Sequence, residues 1–424
     1  MTSISRRRFN ILAGGAAAAG LAGCATAQQA QPKVVVIGGG FGGASAARYL
    51  TLMDPNIAVT LVEPNREFYT CPFSNLVLGG LKQMSDIRHT YDGLRKRGVT
   101  VVHEAAAAID PAQKTVRLAG GGTLPYDRLI VSPGVDLRWN AIQRYDEPAA
   151  EKMPHAWKAG AQTTLLRRQL EAMPNGGTFI MVAPADPFRC PPGPYERASM
   201  IAHYFKTAKP RSKILILDAK DAFSKQGLFM EGWRARYPGM IEWVKASDDG
   251  KVSAVDPDSM TVETDFGVVH KGDVINVIPP QRAGQIAQQA GLADRSGWCP
   301  VDPATFESKL HPGIYVVGDA TIAAPMPKSG FSANSQGKIA AAAIVAGLKG
   351  QTPSSPSYAN TCYSMVGPDY AISIAAVYRA VNGQMTAVPN SGGVSPMGAD
   401  ANFRMQEAHY AEGWYASITQ DMFG

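Results

Sequence analysis

Residues 33–43 read KVVVIGGGFGG, and this stretch decides the fold. Val34 to Ile37 is a short run of β-branched residues, the composition of a buried parallel strand. It runs into glycines spaced G-x-G-x-x-G at Gly38, Gly40 and Gly43. In such a unit the first glycine allows a tight turn and the second lets backbone approach a pyrophosphate. The third lets the following helix, here roughly Gly42 to Leu52, pack on the strand. The unpaired N–H groups of that helix then face the phosphates. A second strand, Val59 to Val62, ends in Glu63, placed to accept both ribose hydroxyls of an adenosine. The glycines alone would fit many Gly-rich turns. Strand, glycines, helix, strand and acid in this order read as a dinucleotide site.

Two stretches further along complete the pattern. Tyr126 to Gly134, YDRLIVSPG, resembles the strand and turn by which two-dinucleotide-domain flavoproteins leave their FAD domain. Ile314 to Ala320, IYVVGDA, resembles their second FAD signature, in which a strand delivers an acid, here Asp319, to the ribityl chain. Between them lies a second βαβ unit: a strand at Thr178 to Val182, a helix at Tyr195 to Thr207, and a strand at Lys213 to Leu217 ending in Asp218. Its turn reads APADPFRCPPGP (183–194) where a nicotinamide-nucleotide fingerprint would stand. Prolines lack the N–H groups a pyrophosphate needs, and Asp186 would repel phosphate. The expected electron donor is therefore something other than NAD(P)H.

The expected fold is α/β: two Rossmann-like domains in the glutathione-reductase arrangement, plus a small C-terminal α+β domain. FAD would occupy 32–143 with 274–348. The altered second domain would span 144–273, and the last domain 349–424. Smaller expectations are a helix at Asp86 to Lys96, a strand at Val99 to His103, and a hairpin pairing Val116 to Leu118 with Leu124 to Tyr126. Gly272 to Val277 leads back towards the first domain, and a helix at Gln336 to Leu348 follows. QTPSSPS (351–357) reads as a linker. The segment after it, rich in aromatics, reads either as a cover for the flavin with a docking face or as plain apolar packing.

The chain has 424 residues, 45% hydrophobic and 18% charged, with a formal net charge of +6. Removing Arg6, Arg7 and Arg8 from the 41 basic residues leaves 38 against 35 acidic, too mild for a nucleic-acid partner. Those arginines belong to residues 1–30, which read as a targeting segment. Ser5 to Phe9, SRRRF, resembles the twin-arginine export motif, and an apolar, small-residue stretch from Ile11 to Leu21 follows it. Export to the periplasm is expected. Ala25-Thr26-Ala27 offers one cleavage site. Leu21-Ala22-Gly23-Cys24 offers a lipobox, and only lipid on Cys24 would tie the protein to a membrane. The seven histidines are scattered without metal-ligand spacing, and no metal is expected.

The five cysteines are Cys24, Cys71, Cys190, Cys299 and Cys362, with no C-x-x-C or C-x-x-C-H. Around them stand YTCPFSN, FRCPPGPYERAS, GWCPVD and SYANTCYS, and elsewhere INVIPPQRAG, PMPKSG and SGGVSP. In these motifs the chain resembles the flavoprotein subunit of flavocytochrome c sulfide dehydrogenase over nearly its whole mature length. The resemblance implies a periplasmic enzyme that oxidises sulfide to sulfane sulfur or polysulfide. It implies FAD held by a thioether at Cys71, although Pro72-Phe73 departs from a less proline-bound pattern there. It implies a redox-active disulfide, which maps to Cys190 and Cys362, and electron delivery to a separate c-type cytochrome subunit. A stapling role for that disulfide is the bland alternative.

Cys190 precedes a helix, whose N-terminal end is expected to lower its thiol pKa. Glu196, at the start of that helix, is either a general base or an acid that complements the helix dipole. Lys328 is placed near the isoalloxazine or on the surface. Trp414 packs near the flavin or fills the core, and Cys299 is expected to be a buried, inert thiol. Two other functions share these features: a sulfide:quinone oxidoreductase, and an accessory flavoprotein that reactivates a sulfur-carrier complex.

Overall fold

The computed structural model describes residues 31–424; the export motif, both cleavage sites and Cys24 lie outside the described residues. The α/β expectation holds. Strand Lys33–Ile37 sits inside a five-stranded parallel sheet. In spatial order the strands are Ile314–Val316, Arg128–Val131, Lys33–Ile37, Ala58–Val62 and Thr100–Val102. Val36 pairs with Ile130 on one side and Leu61 on the other. Val34 to Ile37 are all buried, which explains a continuous apolar run rather than an alternating one. The chain order reverses between Lys33–Ile37 and Arg128–Val131. This is the switch point outside whose carboxyl ends such sheets bind ligands.

A second parallel sheet runs Ile241–Val244, Lys213–Asp218, Thr178–Ala183, Val274–Val277. Helix Gly193–Ala208 follows its central strand after the proline-rich turn. Beyond the linker, Ser357–Gly367 and Tyr370–Val381 form a long antiparallel hairpin, with Cys362 opposite Ile374. Helix Ala401–Phe423, capped by Asp400, packs along the second of these strands. Its end returns to two helices beside the first sheet: from Phe41–Met53, Arg48 donates to the Gln420 carbonyl and Tyr49 to Asp421, and from Gly330–Leu348, Lys338 pairs with Asp421. The Phe423 ring stacks on His89 at 5.0 Å.

The expected hairpin is present, Thr115–Leu118 against Thr123–Pro125. The expected helix at Asp86 to Lys96 is not. A single tight turn, Met84–Ile87, is closed by reciprocal Gln83 and Asp86 bonds. Arg88–Thr90 then pairs as a strand with Glu67–Tyr69, held also by the Arg88–Glu67 ion pair at 2.7 Å. Helix begins only at Asp92. A local cap and a cross-strand partner outweigh helical spacing in this short segment.

Candidate active site

The glycine loop is built for close approach. Gly38 has φ +94°, and a Cβ there would lie 2.2 Å from the Ser132 carbonyl oxygen. A Cβ on Gly43 would lie 1.8 Å from the Gly38 carbonyl oxygen, so this position forbids any side chain. Helix Phe41–Met53 starts at Gly40 with no side-chain cap and no acid in its first turn, leaving its amides free for an anion. Glu63 is fixed in place. Its Oε2 accepts from the Gly39 amide at 2.9 Å, and its Oε1 from both the backbone and side-chain N–H of Asn65. The remaining acceptor capacity is on Oε2, which narrows the expected two-hydroxyl clamp to one oxygen.

Gly318 meets the same Ser132, its Cβ position 3.6 Å from Ser132 Oγ, so the two nucleotide signatures converge across the central strands. Asp319 lines a cavity of about 590 Å³, and its buried Oδ1 has no partner among the described residues. A buried acceptor without a donor is costly unless a ligand supplies one. Lys328 lines the same cavity. Its Nζ donates to the carbonyls of Asp319 (2.9 Å) and Thr321 (2.6 Å) and sits 3.8 Å over the Trp298 ring. Burial pushes its pKa down to about 8, so it is not a surface lysine. An uncapped helix end, a glycine cradle, a fixed acid and an orphaned carboxylate oxygen fit a dinucleotide flavin.

A second, small cavity of about 50 Å³ brings two of the cysteines together. Cys190, Cys362, Glu196 and Trp414 line it together with Pro72 and Phe73, the residues that follow Cys71. Cys190 and Cys362 both carry free thiols here. The Cys190 backbone is left-handed, φ 56°, and its N–H donates to the Lys328 carbonyl at 2.8 Å, tying the sulfur loop to the cofactor cavity. Trp414 has a buried indole N–H without a partner. Cys71 lies at 3.6 Å (Sγ) from the Trp157 carbonyl oxygen. Cys299 is buried, and its pKa is pushed up to about 12 by burial.

One expectation is overturned. Burial, reinforced by the neighbouring Cys362 and Glu196, raises the Cys190 thiol pKa well above its ordinary value. The helix begins only at Gly193, and Pro192 and Pro194 offer no N–H groups to a thiolate. Desolvation wins over the dipole. Burial also raises the Glu196 pKa, against two bonds that favour its charged form: Oε1 accepts from the Met365 amide (2.9 Å) and Oε2 from Asn75 Nδ2 (2.8 Å).

The polar frame behind this cavity escaped assignment from sequence. Arg197 is 2% exposed. It donates to Asn75, Asn276 and the carbonyls of His155 and Ala156. Asn75 thus links the Cys71 segment to both Glu196 and Arg197. The signal was present: Asn75, Arg197 and Asn276 all stand inside motifs quoted above. Replacing Arg197 with methionine is expected to cost about 3–5 kcal/mol, because it strands buried acceptors; a thermal melt changed by less than a degree would refute this.

The second sheet's nucleotide position is filled by protein. Asp218, at the strand end where a ribose-binding acid would stand, is fully buried. Its oxygens accept from Tyr195 OH (2.5 Å), Trp243 Nε1 (2.9 Å) and Lys220 Nζ (2.6 Å). Tyr195 in turn stacks on Phe223 at 3.6 Å.

Two dinucleotide folds joined in this order, with a thiol pair beside the flavin cradle, define a flavin-dependent oxidoreductase of the disulfide-reductase type. Residues 32–169 match the pyridine nucleotide-disulphide oxidoreductase family. Residues 163–279 match the central part of the sulfide dehydrogenase [flavocytochrome c] flavoprotein chain, and 354–423 its flavin-binding part. The chain belongs to this flavoprotein family, a family of sulfide-oxidising proteins that bind FAD. It is 69% identical over 45 residues to the sulfide dehydrogenase [flavocytochrome c] flavoprotein chain of Chlorobaculum thiosulfatiphilum, covering 11% of this chain and 94% of that sequence. It is 24% identical over 323 residues to the mitochondrial sulfide:quinone oxidoreductase of Mus musculus, covering 70% of this chain and 67% of that protein. The solved sulfide:quinone oxidoreductase of Aquifex aeolicus has the same fold, with TM-score 0.69 at 19% identity and 92% of each chain covered.

Proposed function

We propose that the chain is the catalytic flavoprotein of a periplasmic sulfide dehydrogenase that passes electrons to a c-type cytochrome subunit. The observation that carries this reading is the shared cavity of Cys190 and Cys362, supplied by sequence positions far apart and walled by the Cys71 segment. In this reading the two cysteines form a disulfide in the resting enzyme. Hydrosulfide opens it by thiol–disulfide exchange, leaving a persulfide on one cysteine and a thiolate on the other. FAD, when bound, supplies the two-electron acceptor. The glycine loop, Glu63, Asp319 and Lys328 would hold it, and Cys71 would tether it through a thioether. Trp414 closes the wall of the cavity.

Glu196 takes the proton of hydrosulfide as sulfur is oxidised. Its raised pKa places protonation above the ordinary carboxylate range, so the acid limb of sulfide-driven flavin reduction should lie above pH 4.5. In Glu196→Gln the part of that limb carried by Glu196 should vanish, leaving only the ionisation of hydrogen sulfide itself, and the rate should fall about 10²–10⁴-fold. An unchanged pH profile would remove Glu196 from the chemistry.

Filling of the second nucleotide position by Tyr195, Lys220 and Trp243 supports a donor other than NAD(P)H. The quinone reading draws on the sulfide:quinone relatives. Among the described residues no helix is long and apolar enough to cross a membrane, which leaves interfacial quinone access open. The deciding experiment is sulfide-driven turnover of the purified protein with cytochrome c and, separately, with a short-chain quinone. Rapid quinone reduction with no cytochrome reduction would overturn the cytochrome assignment. Mass analysis of denatured protein, with FAD expected on the Cys71 peptide, tests the tether.

A further inference from the structure

Lys225 is 9% exposed and stands at the start of helix Gln226–Arg236 with φ 62°. A lysine in the left-handed region is uncommon and marks a position held by its surroundings. Its Nζ donates to the Cys362 carbonyl (3.2 Å), Ser364 Oγ (2.9 Å) and the Ile372 carbonyl (3.4 Å). All three acceptors are neutral, and among the described residues it makes no ion pair. A buried ammonium held only by neutral groups is costly. Burial lowers the Lys225 pKa, and the groups whose negative charge would oppose this are Cys362, Glu196, Cys190 and Glu407. Glu407 is already engaged by Ser373, Ser395 and Arg404, and Glu196 by Asn75 and the Met365 amide. Of the two sulfurs left, Cys362 is the one whose own backbone carbonyl holds the Lys225 ammonium, at 3.2 Å.

From this juxtaposition we propose that Lys225 is the fixed counter-cation of Cys362, and that it makes Cys362 the leaving sulfur when hydrosulfide opens the Cys190–Cys362 disulfide. The inference rests on the sulfide-oxidising reading above. Hydrosulfide attacks Cys190 Sγ, and a new S–S bond joins the substrate sulfur to Cys190. The Cys190–Cys362 bond breaks, and its electron pair remains on Cys362 as a thiolate. The negative charge passes from substrate to Cys362, and the proton of hydrosulfide stays on the new persulfide until a base removes it. Lys225 touches the backbone of Cys362 and acts through its sulfur, as a positioning residue. Burial raises both thiols, but the Lys225 charge opposes that rise at Cys362, whereas at Cys190 burial is reinforced by Cys362 and Glu196.

The test uses the full holoprotein after reduction of the disulfide. Alkylation by iodoacetamide is followed against pH, and each cysteine peptide is read by mass. In the wild type the Cys362 profile should have the lower midpoint. Lys225→Met should raise that midpoint by about one unit and leave the Cys190 midpoint within a few tenths, while Lys225→Arg should restore it. A lower midpoint for Cys190 in the wild type overturns the proposal, even if Lys225→Met does not fold. So does a Cys362 profile that Lys225→Met leaves unmoved. Failure of sulfide to reduce the wild-type flavin would instead overturn the reaction assigned above, and the alkylation order would still judge Lys225 by itself.

Discussion

Replacing Cys190 with serine is expected to slow sulfide-driven bleaching of the bound flavin at least about a thousandfold, while dithionite bleaches it at the normal rate. Serine can form neither a disulfide nor a persulfide, so both steps assigned to this sulfur are lost. The substitution is otherwise mild. The oxygen is smaller than sulfur, the N–H bond to the Lys328 carbonyl is unaffected, and the left-handed backbone at φ 56° carries the same steric demand for either residue. Loss of rate cannot then be ascribed to loss of fold, which a melt within a few degrees of wild type would verify. The measurement is stopped-flow absorbance of the flavin after mixing with sulfide. Bleaching at the wild-type rate would eliminate the disulfide from the mechanism. NADH on the same wild-type sample provides the complementary arm. With Asp218 saturated by Tyr195, Trp243 and Lys220, NADH should leave the flavin oxidised over minutes.

The first dinucleotide fold was legible because its rules are local. Strand, glycines and acid lie within one short stretch, and backbone sterics at Gly38 and Gly43 permit few alternatives. Strand boundaries at Ala58–Val62 and Lys213–Asp218 fell within a residue or two of expectation for the same reason. The region between Met84 and Lys96 was not legible. Its outcome turns on Glu67–Tyr69, a strand partner some twenty residues away whose pairing no periodicity reports. The thiol of Cys190 shows a similar limit. Proximity to a helix start is visible in sequence, but the burial that overrides it is assembled from the hairpin and the C-terminal helix. Lys225 is the extreme case. Nothing in KQGLF distinguishes it from a solvated lysine, and only the folded hairpin brings Cys362 and Ser364 to its ammonium. Asn75, Arg197 and Asn276 fall between these extremes. They are visible as members of shared motifs, but their mutual contacts are a tertiary fact.

Gly43→Ala is expected to be among the most damaging single methyls in the described residues. Its Cβ would stand 1.8 Å from the Gly38 carbonyl oxygen, and that atom is backbone, so no rotamer change relieves the clash. Separating the helix from the strand is the remaining escape, and it opens the loop whose amides face the pyrophosphate. The expected result is a loss of about 3 kcal/mol or more and purification largely without flavin, read as a collapsed visible-to-ultraviolet absorbance ratio. Gly337→Ala should behave alike, since its Cβ would meet the Gly42 carbonyl oxygen at 2.4 Å where helices Phe41–Met53 and Gly330–Leu348 cross. Gly347, ten positions along the same helix, is the control. Nothing lies within 4 Å of a Cβ there, so Gly347→Ala should gain up to about 1 kcal/mol from helix propensity alone. Helix propensity favours alanine at both helical positions, so opposite signs at Gly337 and Gly347 isolate the packing term. A Gly43→Ala protein that binds FAD fully and melts like wild type would mean that this loop does not hold the helix against the strand as described, and the placement of the pyrophosphate at its amides would fall with it.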